Sequence, residues 1–150
     1  MKIIYRKGNL LDTDCMLIGH GCNAQGKMNS GVAKAIRSKY PDAYKDYMDR
    51  YKKYGLNLGD VIPSVIYKHK NKIIVNCITQ EYYGRDPDKI YVSYNAIQQC
   101  MKKINHFYAS GFDCIGLPKI GAGLGGGAWS KIEEIIEREL TNIQPIVYEL

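Results

Sequence analysis

Two glycine-rich stretches carry most of the chemistry this sequence could support. The first, Gly19 to Tyr40 (GHGCNAQGKMNSGVAKAIRSKY), joins a short apolar run to a helical run. The second leads from Leu117-Pro118-Lys119-Ile120 through Gly121-Ala122-Gly123-Leu124-Gly125-Gly126-Gly127 into a helical run from Ala128 to Leu140. A strand, a glycine loop and a helix start together make an anion site. The first helical N–H groups lack intrahelical partners, and the helix dipole favours negative charge there. Two such loops suit two phosphates, or a pyrophosphate and its sugars. Neither is a nucleoside-triphosphatase loop, because GxxxxGK[ST] is absent. The string GAGLGG at Gly121–Gly126 matches GxGxxG, but too little chain follows it for a dinucleotide-binding half.

Few side chains near these loops could move protons or attack a substrate. His20 stands at the end of the apolar run, and an imidazole titrating near neutral pH can act as general acid or base or orient water. The same ring could instead hydrogen-bond a loop carbonyl and only shape a pocket. Cys22 has no activating group beyond His20, so a nucleophilic role is the lesser reading. Arg85 and Asp86 lie in a polar loop, where a solvent-facing role is the ordinary one.

The elements that must position these residues follow from periodicity and breakers. Strands are predicted over Lys2–Arg6, Cys15–His20, Val61–Tyr67, Lys72–Ile78, Asp113–Pro118 and Pro145–Leu150. Pro63 places its strand at an edge or a bulge. Helices are predicted from near Gly31 to Tyr40 with Ser30 as a cap, from Pro41 to Tyr54, over Tyr91–Tyr108 and over Ala128–Leu140. Tyr44, Tyr47, Tyr51 and Tyr54 form a stripe read as core packing. Strands and helices interleave, so the expected fold is a three-layer α/β/α sandwich with a mixed central sheet. Both glycine loops leave the carboxyl ends of strands and can face one crevice.

At 150 residues, a single domain spanning 1–150 is expected. The net charge of +6 suits anionic ligands, but the lysines are scattered, which reads as a solvated surface. The five cysteines (Cys15, Cys22, Cys77, Cys100, Cys114) form no CxxC pair, and the N-terminus carries no secretory pattern. The expectation is therefore a reduced, cytoplasmic protein with no zinc site or other cofactor, in which Cys15, Cys77, Cys100 and Cys114 are small buried hydrophobes. No run is long enough to span a bilayer.

Four blocks, KGNLL, GHGCNAQGKMNSGVA, TQEYYGRD with the following YVSY, and LPKIGAGLGGGAW, resemble a macrodomain, an ADP-ribose-binding module. The resemblance runs from about Lys2 to Leu150 and is nearest to the compact branch that includes terminal ADP-ribose glycohydrolase and the yeast and phage ADP-ribose-1''-phosphate phosphatases. It implies a macrodomain-like fold and an ADP-ribose-type ligand. Gly8, Asn9 and Leu10 would meet the adenine, with Asn9 replacing the usual aspartate as acceptor for the amino group. Asn23 falls where the family orients the distal ribose. Lys27, Met28, Asn29, Ser30, Gly31 and Val32 would wrap that ribose and the pyrophosphate. Ile120, Gly121, Ala122, Gly123, Leu124, Gly125, Gly126 and Gly127 would form the second phosphate loop.

The departures bear on the reaction. The glycohydrolase relative uses a lysine after its Ile-Thr pair and an aspartate in the second loop; here those places hold Gln80 and Gly125. An acid that many relatives carry before the loop tryptophan is Ala128. That leaves His20 and Asn23 as the catalytic candidates, with Asp86 a lesser one and contact of Arg85 with a terminal phosphate the lesser reading of that residue. The resemblance implies either a phosphatase acting on ADP-ribose-1''-phosphate, or a related ADP-ribosyl hydrolase, or a non-catalytic reader or sponge. Its partners would be ADP-ribose derivatives, including ADP-ribosylated macromolecules, bound by a monomer. A nucleic-acid-binding module ranks last, since RNA-binding patterns are absent.

Overall fold

The computed structural model describes residues 1–150. In chain order the elements are β1 (Ile4–Lys7), β2 (Leu17–Asn23), α1 (Gly31–Lys39), α2 (Pro41–Tyr54), β3 (Val61–Ile66), β4 (Lys72–Gln80), α3 (Tyr94–Tyr108), β5 (Cys114–Leu117), α4 (Trp129–Glu139) and β6 (Gln144–Glu149). They form one sheet in the order β1-β6-β5-β2-β4-β3. All neighbouring pairs are parallel except β3 with β4. The mixed α/β sandwich read from the sequence is therefore the fold, and β3, which carries Pro63, is an edge strand as expected.

The period-two alternation of the strands sorts side chains between two helical layers. Leu17, Val75, Cys77, Ile115, Leu117 and Val147 face α3 and α4, whose Ile97, Met101, Ile104, Ile132 and Ile136 complete the larger core. Ile18, Ile66 and Ile74 face Ile36 of α1 and Ala43 of α2. Cys22, Ile62 and Ile78 face Tyr47 of α2. The tyrosine stripe is thus partly core: Tyr47 is fully buried, whereas Tyr54 is exposed. Pro41 starts α2 at its first turn and Gly55 ends it with φ +74°.

Two expectations need correction. Strand β2 begins later than predicted and continues through the first glycines to Asn23. Pairing with β4 supplies the ladder partners for that extension, with Gly21 opposite Cys77 and Cys22 opposite Ile78. The loop to α1 is correspondingly short. Cys15 and Cys114, expected as separate thiols, are joined by a disulfide with Cα atoms 5.7 Å apart. They stand at the entries of β2 and β5, which are neighbours in the sheet but 99 residues apart in sequence, so spacing carried no signal. Cys22, Cys77 and Cys100 are free and buried.

Candidate functional site

The carboxyl ends of β2, β4 and β5 open into one cavity of about 380 Å³. Three segments wall it. The first is the start of α1 with the residues before it. The second is the glycine loop after β5. The third is a strap that leaves β4 at Gln80 and returns to α3. The two glycine loops therefore share a crevice, as their positions after strands implied.

The walls are lined with unpaired backbone donors. At the start of α1, the amides of Gly31, Val32 and Ala33 have no partner in the chain, and Ser30 makes no side-chain cap, contrary to expectation. All of these residues line the cavity. In the second loop the carbonyls are taken. Gly121 O accepts from Gly127 N at 2.8 Å, Gly123 O from Gly126 N at 3.1 Å, and Gly125 O from Tyr91 N at 2.8 Å and Val92 N at 3.1 Å. The amides of Gly121, Gly123, Leu124 and Gly125 donate to nothing in the chain and border the cavity. Carbonyls turned inward and amides left outward make an anion nest. Glycine is required in it: Gly121 has φ +77°, and a Cβ on Gly125 would sit 2.7 Å from Gly121 O.

Side-chain charge has the same sign. Lys27, Arg85 and Lys119 line the cavity, and no Asp, Glu or His does. Lys119 is partly engaged, with its Nζ 2.8 Å from Glu149 Oε1 and its ammonium over the Trp129 ring. Arg85 and Lys27 form no ion pair.

His20 does not reach this cavity. It shares the α2-facing side of β2 with Ile18 and Cys22 and is completely buried. Its Nε2 lies 2.6 Å from Asn76 Oδ1, while the Asn76 amide donates to the carbonyls of Ala43 and Ile62. The carboxamide oxygen accepts, so the ring donates from Nε2 and is neutral. Burial pulls its pKa down to about 4, partly opposed by the Asn76 hydrogen bond. Neither the acid–base role nor the bond to a loop carbonyl holds; the ring belongs to a buried polar network. Cys22 lies in the same network and borders the cavity, and burial pushes its thiol pKa well up, which disfavours the thiolate.

Asn23 borders the cavity, but its amide is committed to the first loop. Its Nδ2 donates to Lys27 O at 2.9 Å, and its Oδ1 accepts from Gln25 N at 3.0 Å. The Tyr47 hydroxyl donates to Asn23 O at 2.6 Å and accepts from Lys27 N at 3.1 Å. Asn23 and Tyr47 thus build the loop that presents the helix amides.

Among the remaining expected residues, Lys27, Asn29, Ser30, Gly31 and Val32 line the cavity, as do Ile120, Gly121, Gly123, Leu124 and Gly125. Ala122, Gly126 and Gly127 shape the second loop from outside it. Met28 is buried against Tyr47 and Leu56, so its side chain faces the core and not a ligand. Gly8, Asn9 and Leu10 lie apart from the cavity. Leu10 is buried in the core, and Asn9 Oδ1 accepts from Leu11 N at 2.9 Å, capping a short 3-10 turn at Leu10–Asp12. Asp86 accepts from Asp88 N within the strap and does not border the cavity.

Sequence reasoning missed Thr79, Tyr83, Gly84 and Lys119, and gave Arg85 a surface role first, with contact to a terminal phosphate as the lesser reading. The strap that carries three of them is ordered by tertiary contacts. Ala24 N donates to Gln80 O at 2.9 Å, Gln25 Nε2 to Glu81 O at 3.1 Å, and both strap amides at Tyr91 and Val92 bind Gly125 O. A run of turn formers carried no sign of this.

A three-layer α/β/α fold with paired amide-lined loops at its strand ends offers a surface suited to phosphate groups. The profile of the Macro domain family matches residues 20–136, and the chain belongs to that family. Its sequence is similar to an ADP-ribose 1''-phosphate phosphatase of Saccharomyces cerevisiae, at 25% identity over 99% of each chain. Its structure is similar to a protein of unknown function from Bacteroides thetaiotaomicron, with a TM-score of 0.89, 29% identity and coverage of 100% of this chain and 99% of that one. It is also similar to Thermosipho africanus DarTG in complex with ADP-ribose, with a TM-score of 0.80 and 20% identity, covering 97% of this chain and 41% of that one.

Proposed function

We propose that this chain binds ADP-ribose derivatives in the two-loop cavity and hydrolyses ADP-ribose-1''-phosphate to ADP-ribose and inorganic phosphate. The observation that carries the reading is the convergence of two sets of unpaired amides, from α1 and from the second loop, on a cavity that holds three cations and no acid. Such a surface opposes neither phosphate of a pyrophosphate and suits further negative charge beyond it. The likeness to the yeast phosphatase over nearly the whole of both chains supports the same substrate class.

With no imidazole or carboxylate in the cavity, the chain contributes positioning and charge stabilisation. Fixed amides and cations hold the phosphate where negative charge develops, and they need no reorganisation as it does. No lysine stands at Gln80 to form a sugar adduct, and the crowding around Gly125 leaves no room there for a carboxylate. Turnover is therefore slow. The protein acts as a monomer in the cytoplasm, on free ADP-ribose derivatives or on ADP-ribosylated macromolecules.

The missing acid–base side chains favour one second reading, a non-catalytic ADP-ribose reader or sponge. Incubation with ADP-ribose-1''-phosphate and detection of free phosphate, beside calorimetry with ADP-ribose and AMP, separates the two. Phosphate release above the uncatalysed rate is expected, with ADP-ribose bound more tightly than AMP. Firm ADP-ribose binding without phosphate release moves the assignment to the reader. Equal affinity for ADP-ribose and AMP refutes the two-loop site.

A further inference from the structure

The cavity floor holds one buried polar side chain that the fold does not use. Thr79 is only 1% exposed, yet its hydroxyl makes no hydrogen bond within the chain. No fully buried side-chain polar atom in the structure lacks a partner, so the small exposed part of Thr79 is the hydroxyl, and it opens into the cavity that Thr79 lines. Its neighbour makes room for it. A Cβ on Gly21 would lie 2.8 Å from Thr79 Oγ1, so any larger residue at position 21 would press on the hydroxyl.

The strap walls the same cavity. Its Arg85 lines the cavity and has neither a carboxylate nor a hydrogen-bond partner. The strap is held down by the Gly125 carbonyl and by the bonds from Ala24 and Gln25, so the arginine is carried by ordered backbone. Gly84 beside it passes so close to the Tyr91 hydroxyl that a Cβ there would clash with it. Lys27, on the segment bonded to the strap, supplies a second cation.

Thr79 and Arg85 stand at one end of the crevice. The turn after β1, with Asn9, and the strap after β4 lie on opposite sides of the two glycine loops, because the sheet order is β1-β6-β5-β2-β4-β3 and these strands are parallel. A nucleoside diphosphate sugar with its pyrophosphate on the two loops presents one end toward the β4 side, where Thr79 and Arg85 line the cavity. A hydroxyl donor and a guanidinium lining one cavity suit a phosphate monoester, whose oxygens accept from both.

We propose that Thr79 and Arg85 form a receptor for a terminal phosphate, and that they, and not the glycine loops, make the site prefer ADP-ribose-1''-phosphate over ADP-ribose. This rests on the reading of the cavity as an ADP-ribose site. Thr79 donates its hydroxyl to one phosphate oxygen, and Arg85 covers the others as a fork.

The test measures the affinity of the parent, Thr79→Val and Arg85→Gln for ADP-ribose and for ADP-ribose-1''-phosphate, side by side in the cold over times too short for turnover. Thr79→Val is isosteric and Arg85 is exposed, and thermal melts check that both variants fold. The parent is expected to bind the phosphorylated ligand at least about tenfold more tightly. Each variant should cut that preference to about threefold or less, weakening ADP-ribose-1''-phosphate more than ADP-ribose. Arg85→Lys should restore part of it as a point charge. A parent that binds both ligands equally, or variants that keep the parental ratio, overturns the receptor while leaving the ADP-ribose site intact. A parent that binds neither ligand overturns the cavity reading and the receptor with it.

Discussion

Acidification should cost this protein stability through His20, and the amount follows from its burial. The ring is neutral and fully enclosed, with its pKa drawn down to about 4 from an ordinary 6.5. The unfolded chain takes up a proton near 6.5 and the native chain does not, so the unfolded state binds more protons between those values. Stability is complete above 6.5 and is lost as the pH falls toward 4. Each pH unit in that window costs about 1.4 kcal/mol, or about 3 kcal/mol in all, a large share of a typical folding free energy. His20→Gln supplies the comparison, because its amide can still donate to Asn76 but does not titrate. Urea unfolding of both proteins at steps from about pH 7 to 4.5 measures the difference, and acid effects from other groups cancel in it. The parent should lose stability more steeply than the variant, with the gap opening below about pH 6.5. Parallel profiles would refute the buried, neutral assignment of His20.

The same burial removes His20 from catalysis, so turnover of ADP-ribose-1''-phosphate should vary by no more than about threefold between about pH 6 and 8 once substrate ionisation is allowed for; a bell-shaped profile would require an acid–base group that the cavity lacks. Gly125→Asp should weaken ADP-ribose binding by at least about tenfold, because a Cβ there meets Gly121 O at 2.7 Å and forces the amide nest to shift; calorimetry showing parental affinity would mean the loop yields freely. Asn9→Leu should lower stability by about 1 kcal/mol through loss of the cap on Leu11 N, whereas Asn9→Asp keeps the acceptor and should leave the denaturation midpoint almost unchanged.

The order of strands, helices and glycine loops was legible in the sequence because each rests on local chemistry. Apolar alternation marks strands, Pro41 and Gly55 bracket α2, and a glycine run between a strand and a helix leaves amides unpaired wherever it falls. The four motif blocks also carried the family. What the tertiary structure alone decided was direction and pairing. His20 has the same type and neighbours in sequence whether it faces a ligand or the core; its place on the α2 side of β2, one residue out of phase with Gly21, assigned it to the Asn76 network. Asn9 and Asn23 looked like ligand contacts, and the folded backbone claimed their side chains for a cap and a loop. Cys15 met Cys114 only because β2 and β5 became neighbours across 99 residues. Thr79 carried no local signal and Arg85 only a minor one, since an unpaired hydroxyl and an unpaired cation become distinctive only when the surrounding chain has buried one and fixed the other beside a cavity.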